Sequence, residues 1–386
     1  MTEHRNILLL ALAQALLLAN GVTLVAINGL MGLQLSPLPN LATLPVTTYV
    51  LGGVLAAYPA AQFMKRYGRR RGFQVGALFA LAGALLSAFA VHERSFWLLC
   101  LGTVLAGIYN AIGQQYRFAA ADSVEADWKS RAISLTLAGG ILGGIVGPEV
   151  SKFTRDLVAP TFAASYLALA GFALVSLVIV SRLNIAPLSV AEQTAKGRPL
   201  REIARQPAFI VALLAATCGY ATMNLLMTAT PLAMDFCGMP FSDAAFVLQW
   251  HVIGMFAPSF FTGDVIRRMG VRPVLLTGAA LMLLCAGIAL AGVTLHHFWW
   301  ALVLLGIGWN FLFIGGTTLL TETCRPEERA KVQGSNDFIV LGTQALTSLV
   351  AGVVIISAGW HSLVWFALPL IAVTGLATWL WKPVRA

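Results

Sequence analysis

The chain has 386 residues, of which 58% are hydrophobic and 11% charged, and its net charge is +9. About a quarter of a soluble domain is charged, so this composition excludes a soluble globular enzyme and points to a helical protein that crosses a membrane many times. The positive balance does not indicate a nucleic-acid partner, because it follows from where the basic residues fall between apolar runs.

About 20 apolar residues in a helix cross a hydrocarbon core about 30 Å thick. Runs of that length predict twelve spans, at 7–32, 41–64, 72–92, 96–120, 132–156, 160–182, 207–234, 242–266, 273–294, 298–320, 333–357 and 361–381. The first run lacks a small-residue cleavage site and is too long for a signal peptide, so it reads as the first span. The polar stretch 184–206 holds Lys196, Arg198, Arg201 and Arg205 and reads as a linker. It separates an N-terminal six-helix half, 1–183, from a C-terminal half, 207–386. With the N-terminus inside, only Arg94, Lys152 and Arg155 of the 25 Lys and Arg residues lie outside. The expectation is a multi-pass protein of a bacterial inner membrane, with both termini cytoplasmic.

The halves repeat. Lys65-Arg66-Tyr67-Gly68-Arg69-Arg70 follows span two, and Arg267-Arg268-Met269-Gly270-Val271-Arg272 follows span eight, an offset of 267 − 65 = 202. Asp122 with Arg131 closes span four, and Glu322 with Arg329 closes span ten.

Polar residues inside spans are candidate functional groups. Span one carries Gln14, Asn20 and Asn28. Span four carries Tyr109, Asn110, Gln114, Gln115, Tyr116 and Arg117, with Arg117 either facing the bundle interior or snorkelling to the interface. Asn224 in span seven, Trp250 in span eight, and Trp309 and Asn310 in span ten extend the set. It would either contact an organic substrate or hydrate a path. Span five carries Gly139, Gly140, Gly143, Gly144, Gly147 and Pro148, small residues that let helices approach closely. No strand precedes them, so they do not form a nucleotide-binding loop. Glu149 and Asp337 are candidate proton carriers or interior ion-pair partners. The five cysteines form no CxxC pair, so no disulfide framework or zinc site is expected.

Spans seven and eight carry the most specific pattern. Met223 and Met227 are spaced i, i+4, as are His251 and Met255, so each pair lies on one helix face. If the two spans form an antiparallel hairpin about Met239, residues summing to 478 are level. Met227 then pairs in height with His251, and Met223 with Met255, roughly 18 and 24 Å from the turn. Three thioethers and an imidazole near mid-membrane are a soft donor set that selects Cu(I).

Two parallel six-helix repeats and the basic loop after span two resemble the major facilitator superfamily. That resemblance implies an all-α fold of twelve transmembrane helices in two pseudo-symmetric halves, with spans one, four, seven and ten lining a cavity. It also implies that Arg66, Gly68, Arg70, Arg268 and Gly270 lie in loops that control conformation. Lys65 stands where the superfamily's loop has an acid, and Ala61 where it has a glycine. The Gly147-Pro148 ending partly resembles an antiporter signature of drug exporters. MxxxM in span seven followed by HxxxM in span eight resembles the CcoA-type copper importers. By that resemblance Met223, Met227, His251 and Met255 are copper ligands, with Cys218 and Cys237 as a metal relay. The wider group includes relatives that move riboflavin or other small organics. The expected function is therefore import of copper as Cu(I), with a proton-coupled carrier of riboflavin or a similar solute as the alternative. A non-transporting membrane sensor is a third class, disfavoured because no sizeable soluble domain is evident. No cofactor is expected, copper being the substrate. The chain is expected to act as a monomer in the bilayer and not as an enzyme, since no nucleophile–base constellation is recognisable.

Overall fold

The structure is a computed structural model and describes residues 2–38, 41, 44–185 and 197–382. Every regular element among them is helical, as lipid demands, because a helix bonds its backbone groups within one segment. In the first half, α1 (Thr2–Leu35), α2 (Leu44–Tyr67), α3 (Arg69–His92), α4 (Phe96–Gly113) and α5 (Tyr116–Asp122) are followed by α6 (Lys129–Ala138), α7 (Gly140–Thr154) and α8 (Ala163–Ser181). In the second half, α9 (Leu200–Ile203), α10 (Pro207–Phe236), α11 (Phe241–Phe256), α12 (Ser259–Met269), α13 (Val271–Ala291), α14 (Leu295–Glu322) and α15 (Arg329–Leu380) complete the chain. Residues 186–196 of the expected linker lie outside the described set.

Among the described residues, eleven helical segments are long and apolar enough to cross a membrane. The expected span eight, 242–266, is not among them because the turn at Ala257 and Pro258 divides it into α11 and α12. Proline has no N–H to give and its ring clashes with the preceding turn, so a helix breaks there. Spans eleven and twelve run together as α15, interrupted at Gly359 with φ 75°. The repeat is visible in the backbone. Gly68 has φ 87° and ψ 157°, Gly270 has φ 83° and ψ 167°, and each caps the helix that follows it. A side chain at either φ would be strained, which explains a glycine at both copies of the loop.

Residues cluster into two compact units. The first comprises Met1–Ser123, Gly139–Ala195 and Pro326–Leu341, and the second comprises Val124–Ala138, Lys196–Arg325 and Gly342–Ala386. These units differ from the halves expected at 1–183 and 207–386. The segment Val124–Ala138 belongs with the second unit, and Pro326–Leu341 with the first. Sequence order alone assigns such segments to the half that contains them, whereas packing follows the neighbours they touch. In the first unit the span-five glycines lie against α1, where the Gly139 position faces the Ala11 carbonyl and Gly147 that of Ala19. These small residues serve close helix packing.

Candidate functional site

In the second unit, α10 and α11 each pack mainly on α14, and only slightly on each other. The sum rule for spans seven and eight assumed an interlocked hairpin, and α14 takes that place. Glycines on α14 set the crossings. A side chain at Gly306 would meet the His251 carbonyl at 2.5 Å and the Met255 nitrogen at 2.8 Å. Gly219 of α10 lies against Leu312. With α14 as a common ruler, the contacts of Gly219 with Leu312 and of Gly306 with His251 and Met255 bring Met223 level with Met255 and Met227 level with His251.

His251 is fully buried, and its Nδ1 lies 2.7 Å from the Leu302 carbonyl. A carbonyl only accepts, so Nδ1 carries the proton and Nε2 presents a lone pair. That Nε2 is buried with no hydrogen-bond partner. A metal-ligating histidine characteristically gives its other N–H to such a carbonyl. Met223 and Met255 are buried and Met227 half-buried. Among the described residues no group of three or more His, Cys, Asp or Glu forms a metal centre, so any donor set here depends on the thioethers. Cys218 is buried in α10, whereas Cys237 is exposed beyond that helix's end. Nineteen residues separate them, about 28 Å of helix.

Beside His251 lies an aromatic cluster from α10, α11 and α14. Trp309 stacks on Phe313 with centroids 4.8 Å apart and planes 16° apart. Tyr220 meets both rings edge-on at 5.4 Å, and Phe256 meets Trp309 at 5.8 Å. The Trp309 indole N–H is buried without a partner. Trp309, Phe313 and Phe256 are buried in this cluster, which leaves one donor unsatisfied.

Several expected cavity residues are committed elsewhere. Asn310 donates to the Met255 carbonyl and to Ser259 Oγ, both at 2.6 Å, and accepts from Thr262 Oγ1 at 2.7 Å. All three partners flank the break at Pro258, so Asn310 stitches that break and is not a substrate contact. Tyr109 is buried with its hydroxyl 3.2 Å from Ser176 Oγ, a packing role inside the first unit. Trp250 is 39% exposed and meets Phe246 and Trp299 in an aromatic cluster. Asn224 is buried and donates to the Gln344 carbonyl at 3.0 Å and to Thr347 Oγ1 at 3.1 Å. Gln114 accepts from Arg117 at 2.7 Å. Asn110 is half-buried on α4.

Glu149, expected as a proton carrier or an interior ion-pair partner, is 65% exposed and pairs with Lys152 at 2.8 Å, so its ion pair is not an interior one. Asp337 is 1% exposed and Arg117 2%, with 2.5 Å between carboxylate and guanidinium. Gln115 and Asn336 also donate to the Asp337 carboxylate, at 2.5 and 3.1 Å. Arg117, Gln115 and Asn336 all donate to this one carboxylate, which makes Asp337 and Arg117 interior partners.

That pair belongs to a longer relay in the first unit that sequence reading did not assemble. Arg69 holds Asp122 at 2.8 Å, Gln115 at 2.8 Å and Gln333 at 2.6 Å. Arg329 reaches Asp122 at 3.0 Å. Gln115 therefore joins the Arg329–Asp122–Arg69 cluster to the Asp337–Arg117 pair. Of the signature loop, Arg69 does the bonding. Arg66 lies over the Tyr67 ring at 5.3 Å, and Arg70 and Arg268 are exposed. The one available signal was Asp122, which closes span four; its partners are far away in sequence.

The described helices form two compact units with buried polar groups and a broken span eight, features that fit a secondary membrane carrier. A model of the Major Facilitator Superfamily matches residues 9–340 and 251–386. The chain belongs to that superfamily, and it is a transporter and not an enzyme. It is 44% identical over 373 residues to the riboflavin transporter RfnT of Brucella anthropi, covering 96% of this chain and 94% of that one. It is 27% identical to the uncharacterized MFS-type transporter YdeG of Bacillus subtilis, over 90% of this chain and 84% of the relative. The fold is similar to that of the Escherichia coli fucose:proton symporter FucP, with a TM-score of 0.80, 17% identity and 100% of both chains covered.

Proposed function

We propose that this chain imports riboflavin, or a solute with a similar flat heteroaromatic ring, as a secondary carrier of a bacterial inner membrane. The observation that carries this reading is the 44% identity, over nearly the full length of both chains, to a protein named as a riboflavin transporter. The aromatic cluster in α10, α11 and α14 supports it chemically. A planar ring system gains from an aromatic face, and the free Trp309 N–H can donate to a ring carbonyl. Alternating access rocks one set of helices against another about such a mid-membrane site. Both termini are assigned to the cytoplasm by the basic loops, and a monomer suffices for transport.

Copper import is the second reading, and one observation favours it. The imidazole of His251 is held by Leu302 with a bare, buried Nε2, and Met255 follows one turn later. Uptake of labelled riboflavin and of radioactive copper by the same cells, with and without the protein, separates the two. Riboflavin uptake above the empty-vector level is expected, surviving His251→Leu. Trp309→Phe keeps the ring and removes the N–H, so KM for riboflavin rises about fivefold, as for one lost hydrogen bond of about 1 kcal/mol. Copper uptake that disappears in His251→Leu at normal abundance, with no riboflavin uptake in any variant, would overturn the flavin reading in favour of copper.

A further inference from the structure

We infer that a groove on α2, α3 and α4 binds one anionic phospholipid of the leaflet facing the basic loops, with an acyl chain in the groove and the phosphate on the loop after span two. This site is separate from the carrier reading above and from the Met–His pattern.

The groove has a volume of about 420 Å³ and its walls are almost wholly apolar. A water takes about 30 Å³ of liquid, so the space suits a chain of methylenes and not an isolated solvent molecule. Leu55, Pro59 and Phe63 of α2 form one wall, one turn apart along the helix, and all three are exposed on the outer surface of the unit. Val75 and Phe79 of α3 form the other wall, and Ile108 of α4 lies in the floor. A soluble protein would leave such a groove to aggregate or fill with a partner. In a membrane helix bundle the neighbour of that face is lipid.

One end of the groove fixes the class of lipid. Met64 and Gly72 line it there, and the residues between them are the basic loop. Arg69 is turned inward onto Asp122 and Gln115. Arg66, Arg70 and Arg71 are exposed. An apolar trough whose end adjoins a segment carrying three exposed arginines is complementary to an acyl chain ending in a phosphate. Guanidinium groups bind phosphate oxygens in pairs, and each basic residue near an anionic surface adds to such binding. A zwitterionic lipid would fill the same trough but bring its own cation to the guanidiniums.

The test is native mass spectrometry of the full chain in detergent, titrated with phosphatidylglycerol or phosphatidylcholine of the same acyl chains. Wild type should retain phosphatidylglycerol at least about tenfold more strongly. Arg66→Gln/Arg70→Gln/Arg71→Gln should bring the two lipids to equal retention. Ala56→Leu, which fills the groove, should weaken both lipids while keeping their order. A wild-type measurement guards against variants that fail to fold: raising salt from about 0.05 to 0.5 M should erode the preference, since the Debye length then falls well below 10 Å. Equal retention of both lipids by wild type would overturn the inference. So would a preference that survives the triple substitution, one insensitive to salt, or lipid retention unchanged by Ala56→Leu.

Discussion

The two units close the same helix crossing with different chemistry. In the first, Gly334 at the start of α15 packs on Ala61 and Tyr58 of α2. In the second, Gly263 of α12 packs on the backbone of Ser130 and Arg131 of α6. Ala61 and Gly263 are related by the repeat offset of 202, so the crossing itself is inherited. The electrostatics are not. The first unit carries a relay from Arg329, Asp122 and Arg69, all half-buried, through buried Gln115 to the fully buried Asp337 and Arg117. The second has half-exposed pairs of Asp264 with Arg131 at 3.5 Å and Arg267 at 3.7 Å. It adds hydroxyl bonds from Ser130 to the Gly263 carbonyl at 3.0 Å and from Ser134 to that of Ser259. Duplicated backbone geometry therefore does not force duplicated charge. One unit depends on desolvated ion pairs, the other on how closely two backbones can approach.

Removing a buried charge should break the first unit most severely. Asp337→Leu strands the Arg117 guanidinium and should cost about 3–5 kcal/mol. Arg117→Met/Asp337→Leu should recover most of that loss. Thermal unfolding in detergent checks both, and an unchanged melting temperature for the single variant would remove the contrast between the units.

Crowding should act mainly on the second unit. A Cβ at position 263 would lie 2.5 Å from Arg131 Cα and 2.6 Å from the Ser130 carbonyl, which are backbone atoms that cannot swing aside. Gly263→Val should cost about 1–3 kcal/mol. At position 334 the nearest atom is the Ala61 Cβ at 2.8 Å, so Gly334→Ala should be rescued by Ala61→Gly. Equal melting temperatures for Gly334→Ala with and without Ala61→Gly would show that the crossings are not built as described.

The smallest effect should come from the exposed pairs. Asp264→Asn should shift stability by under about 1 kcal/mol, because solvent screens pairs of this exposure. A loss comparable to that of Asp337→Leu would make the two units alike after all.

The long apolar runs, the basic loops and their offset made the architecture legible in the sequence, because lipid allows few backbone solutions. Pro258 does not by itself mark the break in span eight, because Pro59 and Pro231 lie inside unbroken helices. The neighbour relations were not legible. Met223, Met227, His251 and Met255 follow one another in sequence, yet nothing local says that α14 will pack against both of their helices. Arg69 and Asp122 are 53 positions apart and Gln115 and Asp337 are 222 apart, so propensity and periodicity do not pair them. Asn310 looked like a substrate contact because an amide in an apolar span invites that reading. Only the broken helix beside it shows where its hydrogen bonds are spent.

That stitch has a mechanical consequence. One carboxamide grips both ends of the break at Pro258 from α14, with bonds at Met255, Ser259 and Thr262. A proline break is ordinarily a pivot, and here the pivot is pinned. The two pieces of span eight should therefore travel with α14 as one lever arm, carrying His251, Met255 and Trp309 at fixed mutual spacing. Any stroke that opens the site to one side of the membrane must then flex elsewhere, and Gly359, with its left-handed backbone between the last two spans, is a free joint by comparison.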